Sequence, residues 1–280
     1  MIIDMRVRPP FGSFLNDPRL NGDTFLEAMT GMFKYRPEPS QRDHRMESLI
    51  AEMDECGVTA SLIPVRKPCG GDNASIAPLM KAWPGRFIAM AGVNLGDSPD
   101  ISLETVDSCV LHGDFRGVAI EPQLEPGTGR MDHQNALPLY EKLNAERIPL
   151  MVTFGAYGHA CLADINPDIV DKVALRFPHM PIIIGHAGWP NVTQMCWVAF
   201  KRPNVYLSPD YMAGYAGGTE YLRAACTMLE NKIMFGSAYP ILSQRHALSM
   251  YRSLAGELGM PASVLEKVLG GNAARLFGLS

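Results

Sequence analysis

His186 stands in the stretch 181–191, PIIIGHAGWPN, where an unbroken apolar run leads straight into Gly185, His186 and Gly188. An imidazole has an ordinary pKa of about 6.5, so at that place it can give or take a proton at neutral pH. The plainer alternative is a core histidine bonded to a backbone carbonyl. Near the start of the chain, in MIIDMRVRPP, Arg6 and Arg8 stand two residues apart. A planar guanidinium fork matches a carboxylate, so these two can bind an anion if they face a cleft. On an exposed strand they would be ordinary solvated surface. Two acids accompany them: Asp210 in SPDY, a second candidate base or else a loop cap, and Glu121 in IEP, a third candidate or else a partner for Arg6 or Arg8. Ser237 and Tyr239 offer hydroxyl donors to a substrate, or could instead close the floor of the fold. Cys69, in a CGG loop, has no base paired with it in the sequence and is not read as a nucleophile.

The elements that must position these groups repeat. An apolar run without alternation suits a strand buried on both faces, as in a parallel sheet wrapped by helices. Such strands are expected at 2–8, 58–65, 86–93, 115–121, 149–153, 181–186, 204–208 and 232–236. Helical spacing falls between them at 45–56, 75–83, 102–111, 135–146, 166–177, 189–200 and 219–229, with 244–258 and 262–277 after the last strand. This alternation implies an α/β fold with a parallel sheet, and about eight repeats imply closure into a (β/α)8 TIM barrel. His186 would then sit at the C-terminal end of a strand, where barrel enzymes keep their chemistry. In the first strand, alternation puts Asp4, Arg6 and Arg8 on one side and Met5 and Val7 on the other. A doubly wound open sheet is the alternative, but no GxGxxG follows an early strand, and there is no P-loop, GxSxG or HExxH.

Residues 1–280 are read as one domain, with 11–44 inserted after strand one. That insertion is irregular and carries Phe11, Phe14, Phe25, Phe33 and Tyr35, so it is expected to be a lid or a subunit interface, with a homodimer the preferred assembly. A hydrophobic fraction of 47% and a mean hydropathy of -0.01 suit a soluble globular protein. The net charge of -4 gives no footprint for nucleic acid or an acidic membrane. The 6 cysteines are scattered without a CxxC pair, against a zinc ribbon or disulfide scaffold. No signal peptide and no membrane span are recognised, so a cytoplasmic location is expected.

Several segments together resemble the amidohydrolase-related (amidohydrolase 2) family of the amidohydrolase superfamily. They are the opening IID, WPGRFIAMAGVN, FRGVAIEP, IIIGHAGWP, FGSAYP and the terminal GGNAARLFGL. That family includes aromatic-acid decarboxylases and dicarboxylate lactonases. Its members typically carry HxH after strand one, histidines at the ends of strands five and six, and an Asp within GSDYP on strand eight. Here the resemblance aligns those positions with Arg6 and Arg8, Thr153, His186 and Ala238, so only His186 remains. Arginine has no lone pair to give a metal, and zinc needs three or four ligands. His159, on the loop after strand five, is the only other histidine near a strand end. The resemblance therefore implies a divergent member with no metal and no other cofactor, in which two guanidinium charges take the place of the cation.

The expected function is a metal-independent hydrolase acting on a small carboxylated substrate, with a lactone the expected one. His186 and Asp210 are the candidate catalytic residues, and Arg6, Arg8, Glu121, Thr153, Ser237 and Tyr239 line the substrate. The alternatives are a non-hydrolytic decarboxylase or isomerase on a small aromatic or unsaturated acid, and an inactive barrel that binds a small anion.

Overall fold

The computed structural model describes residues 1–17, 22–125, 128–155 and 161–279. Strands β1 (Ile2–Asp4), β2 (Val58–Pro64), β3 (Phe87–Gly92), β4 (Val118–Ile120), β5 (Leu150–Thr153), β6 (Ile182–Gly185) and β7 (Val205–Ser208) form a parallel sheet in sequence order. Parallel neighbours in sequence order demand a crossover after every strand, and helices supply it. The insertion after β1 contains α1 (Asp23–Phe33) and α2 (Pro39–Asp43), and α3 (Met46–Cys56) leads back to β2. Then α4 (Asn73–Ala82), α5 (Pro99–Thr105), α6 (Ala136–Glu146), α7 (Pro167–Arg176), α8 (Val192–Lys201) and α9 (Thr219–Ala225) follow β2 to β7 in turn. The chain ends with α10 (Gln244–Glu257), α11 (Ala262–Glu266) and α12 (Asn272–Phe277).

Local chemistry sets the ends of these helices. The Asp72 carboxylate accepts from the N–H of Ser75 at 2.7 Å and caps α4, and Gly57 ends α3 at φ 72°. The strands are apolar throughout because each is sandwiched. Ile3, Met5, Leu62, Met90, Met151, Ile183 and Met234 fill the barrel interior. Ile63, Val118, Val152, Ile184 and Leu207 pack outward under the helices. Both shells are apolar, and charged groups gather at the strands' C-terminal ends.

Three expectations are corrected in detail. The eighth strand is not a regular strand: the expected run 232–236 forms an isolated bridge of Ile233 with Leu207, and beyond it Tyr239 bridges Val7. They still close the circuit, because Met234 N–H donates to Leu207 at 2.9 Å and Met5 N–H donates to Phe235 at 2.9 Å. The ladder breaks because Phe235 N–H leaves the sheet for the Val268 carbonyl at 2.8 Å. In the first strand β1 ends at Asp4, and Met5 lies in a bend. Asp4 and Arg6 therefore do not share a face. The last correction is that α8 starts at Val192 rather than at 189, since Pro190 has no N–H and that of Asn191 closes a turn onto Gly188 at 2.9 Å.

The insertion packs on its own barrel. Phe11 meets Trp83 edge-on at 5.9 Å, and Phe33 stacks on Tyr215 at 5.8 Å and meets Tyr211 edge-on at 5.9 Å. Tyr35 stacks on His246 at 4.4 Å and donates its hydroxyl to the Ile241 carbonyl at 3.1 Å. These contacts hold the segment over the loops that follow β7 and the closing segment. No helix among the described residues is long and apolar enough to cross a membrane.

Candidate active site

The ends of β6, β7 and the closing segment share an uncommon backbone. His186 has φ 62°, Asp210 φ 57° and Ala238 φ 57°. A side chain in this left-handed region costs roughly 1–2 kcal/mol per residue, and such strain gathers at functional sites. The turn brings His186 against Asp210. His186 Nδ1 lies 3.1 Å from Asp210 Oδ2, and the backbone N–H of His186 donates to that oxygen at 3.2 Å. Ser208 Oγ donates to Asp210 Oδ1 at 2.7 Å, and Tyr251 donates to the Asp210 carbonyl at 3.1 Å. Both residues are buried.

Arg6 crosses the barrel interior to meet this pair. Its Nε lies 3.9 Å from Asp210 Oδ2, and its Nη2 donates to Thr153 Oγ1 at 2.6 Å and Glu121 Oε1 at 3.1 Å. Thr153 donates in turn to Glu121 Oε1 at 2.9 Å. The other Glu121 oxygen accepts from Arg66 Nε at 2.9 Å, and Arg66 Nη1 lies 3.6 Å from Asp17 Oδ2. Asp17 belongs to the insertion, so one line of alternating charge runs from it through Arg66, Glu121, Arg6 and Asp210 to His186. Arg6 Nη1 makes no hydrogen bond among the described residues. It lies over Gly185, where a Cβ would collide with it. Gly236 likewise leaves room for Asp210 Oδ1.

The charge states follow from this wiring. Burial pushes the Glu121 carboxyl up, but Arg66 and Arg6 outweigh it and hold its pKa down at about 2. Glu121 is thus a fixed carboxylate rather than a base. Burial also opposes ionisation of Asp210, yet His186, Arg6 and Ser208 keep its pKa below the ordinary value. The pKa of His186 is lowered, first by burial and then by Arg6, against the opposite pull of Asp210. The Asp210 carboxylate beside Nδ1 favours the tautomer with the ring proton on that nitrogen.

The remaining expected site residues divide. Arg8 donates to the Ala238 carbonyl at the same end of the barrel. Ser237 and Tyr239 turn elsewhere. Ser237 Oγ donates to Asp4 Oδ2 at 2.6 Å, and Tyr239 donates its hydroxyl to the Ser40 carbonyl at 2.7 Å. Asp4 also accepts from Gln244 Nε2 at 3.0 Å, in a polar group between the sheet and α10. Burial raises its pKa to about 6. The Thr153 hydroxyl is committed to joining Arg6 and Glu121. An aromatic wall completes the site: Tyr211 meets the His186 ring edge-on at 5.2 Å, with Phe33 and Tyr215 behind it.

Arg66 and Asp17 escaped the sequence reading. Arg66 follows directly on the expected strand 58–65, a position that could have flagged it, whereas nothing in FLNDPRL marks Asp17. Among the described residues a catalytic cation does not fit the donors present. Among the described residues no group of three or more His, Cys, Asp or Glu side chains could hold a metal, and the guanidinium of Arg6 lies between Glu121 and Asp210. His159 lies outside the described residues.

The sequence profile of the amidohydrolase family matches residues 34–279. No curated protein matches the sequence. Among solved structures, an uncharacterized TIM-barrel protein from Bordetella bronchiseptica is similar at 28% identity, with 99% of this chain and 98% of that chain covered and a TM-score of 0.90. The fold is also that of 2,6-dihydroxybenzoate decarboxylase from Rhizobium, at 18% identity, 99% and 98% coverage and a TM-score of 0.71. A probable 2-pyrone-4,6-dicarboxylic acid hydrolase from Acinetobacter baumannii shares it at 13% identity, with 99% of both chains covered and a TM-score of 0.62.

Proposed function

The chain belongs to the amidohydrolase family, and from that premise we propose that it is an enzyme that opens a lactone in a small carboxylated substrate without a metal ion. The observation that carries this reading is the placement of one Asp210 oxygen 3.1 Å from His186 Nδ1 and 3.9 Å from Arg6 Nε. It sets a neutral, oriented imidazole beside a guanidinium that has an N–H to spare. Nε2 of His186 takes a proton from water as the water oxygen attacks the lactone carbonyl carbon. The carbonyl oxygen gains the charge, and Arg6 stabilises it in a site where little solvent screens the interaction. The ring C–O bond then breaks, and the imidazolium returns its proton to the leaving oxygen. Arg8 binds the substrate carboxylate.

The charge state of His186 favours hydrolysis over decarboxylation. Replacing a carboxylate by hydrogen on carbon needs a proton donor, and an imidazole with a lowered pKa and a carboxylate on Nδ1 is set up as an acceptor. A panel of lactones bearing carboxylates, followed by proton release, tests the reaction. Turnover that survives chelators and is lost in Arg8→Met is expected; carbon dioxide release from an aromatic acid, or activity that needs added metal, would replace this reading.

A further inference from the structure

Five tyrosines are buried among the described residues, and four of them engage the hydroxyl inside the fold. Tyr140 donates to the Met131 carbonyl at 2.6 Å, Tyr221 to that of Ala187 at 2.9 Å, Tyr239 to that of Ser40 at 2.7 Å and Tyr251 to that of Asp210 at 3.1 Å. A hydroxyl shut away without a partner is destabilising, so a buried tyrosine ordinarily finds one. Tyr211 is the fifth, and among the described residues its hydroxyl makes no hydrogen bond. It keeps 8% of its surface open, against 2% or less for the others. The ring is fixed edge-on by His186 at 5.2 Å, by Tyr215 at 5.6 Å and by Phe33 of the insertion at 5.9 Å. The charges of Arg6 and Arg8 act on the hydroxyl and ease its ionisation, but burial outweighs them and pushes its pKa up to about 12. Tyr211 is therefore a neutral donor at working pH, held rigidly beside the imidazole and without an acceptor of its own.

The same site holds a second donor without an acceptor. Arg6 Nη1 is buried and makes no hydrogen bond among the described residues, and Nε of the same guanidinium lies 3.9 Å from the Asp210 oxygen that faces His186. We propose that Tyr211 is a further catalytic residue, whose hydroxyl donates, together with Arg6 Nη1, to the oxygen of the scissile carbonyl as charge develops there. The water oxygen bonds to the carbonyl carbon, the carbonyl electron pair moves onto oxygen, and the hydrogen bond from Tyr211 strengthens. The proton stays on the phenol oxygen throughout. A neutral donor adds this stabilisation without placing another positive charge beside His186, whose basicity is already reduced by Arg6. Phe33 gives the insertion a part in the reaction, because it packs against the ring that carries the donor.

The proposal rests on the lactone-opening reaction proposed above, and Tyr211→Phe tests it, because the ring and its contacts stay and only the hydroxyl goes. The melting temperature of Tyr211→Phe should be unchanged or higher, since no internal hydrogen bond is lost, whereas Tyr221→Phe, which loses one, should melt lower. A fall in Tyr211→Phe as large as that in Tyr221→Phe would reveal an internal partner and overturn the proposal. On a carboxylated lactone that the unaltered protein turns over, kcat should fall about a hundredfold in Tyr211→Phe with KM little changed. An unchanged kcat overturns the proposal. Titration calorimetry separates the donor from the reaction: meta-carboxyphenylboronate takes up hydroxide at boron to give a tetrahedral anion, and benzoate is the same carboxylated ring without boron. Tyr211→Phe should bind the boronate about tenfold more weakly and benzoate equally well. Equal boronate affinity in both proteins, or an equal loss for both ligands, overturns the proposal. Benzoate binding without turnover of any lactone counts against the reaction alone, and the boronate comparison then decides Tyr211. If the unaltered protein binds neither compound and opens no lactone, the reaction proposed above fails and the assignment of Tyr211 falls with it.

Discussion

His186 and Asp210 meet with Nδ1 3.1 Å from Oδ2 while each holds a left-handed backbone, at φ 62° and φ 57°. The chain accepts strain on both sides of one contact, and that contact favours a ring proton on Nδ1. In the proposed reaction the pair serves as a base with its orienting group.

Turnover should depend on neutral His186. Its pKa is lowered by burial and by Arg6, with a smaller push from Arg8, so activity should rise with pH through a midpoint below the usual value of about 6.5. His186→Asn should lower kcat by about a hundredfold or more. Arg8→Met removes positive charge and should move the acid limb of whatever activity remains to higher pH. A limb that does not move in that variant would mean that Arg8 does not act on the imidazole.

Glu121 should carry part of the stability at neutral pH. Its pKa is held at about 2 against an ordinary 4.5, so its contribution is fully present above the unfolded value and is lost as pH falls through the folded one. A shift of this size corresponds to roughly 3 kcal/mol as an upper bound. Urea unfolding between pH 7 and pH 2 should show Glu121→Gln less stable at neutral pH and less sensitive to acid. Parallel curves for the two proteins would refute the assignment.

Gly185 should be intolerant of a methyl group because of Arg6 rather than because of its own backbone. Its φ of -69° suits alanine, but the added Cβ would strike Arg6 Nη1. Gly185→Ala should lower kcat at least about tenfold, and a double-mutant cycle with Arg6→Met should show strong coupling in stability. Additive effects would place the clash elsewhere.

The insertion is proposed to act as a lid on its own barrel. Phe33→Ala removes a stacked and an edge-on ring contact, each worth about 0.5–1.5 kcal/mol beyond burial. Faster proteolysis within 11–44, with the molecular mass from light scattering unchanged, is the expected result. A fall from dimer to monomer would instead make this segment the subunit interface.

Much of the fold was legible because it depends on short-range pattern. The run 181–184 reads as a strand sandwiched between two apolar layers, and β6 has such layers on both faces. Helix ends were legible where Gly or a capping side chain marks them, as at Gly57. His186 could be placed at a strand end because glycines on either side of it announce a turn. The eighth strand was legible as an apolar run but not as a broken ladder, since the competing acceptor, the Val268 carbonyl, comes from a helix far along the chain.

The sequence by itself determined which side chains are buried and which kinds of charge must be accommodated among them. It could not say which charge meets which, because the deciding contacts join residues 115 and 147 positions apart, Arg6 with Glu121 and with Thr153. Alternation alone would have put Asp4 beside Arg6. The bend at Met5 instead sends Asp4 to Ser237 and Gln244 and Arg6 into the barrel. Ser237 and Tyr239 follow the expected strand 232–236 but spend their hydroxyl protons on Asp4 and Ser40. A buried donor takes the nearest well-aligned acceptor, and only the closed barrel determines which acceptor that is.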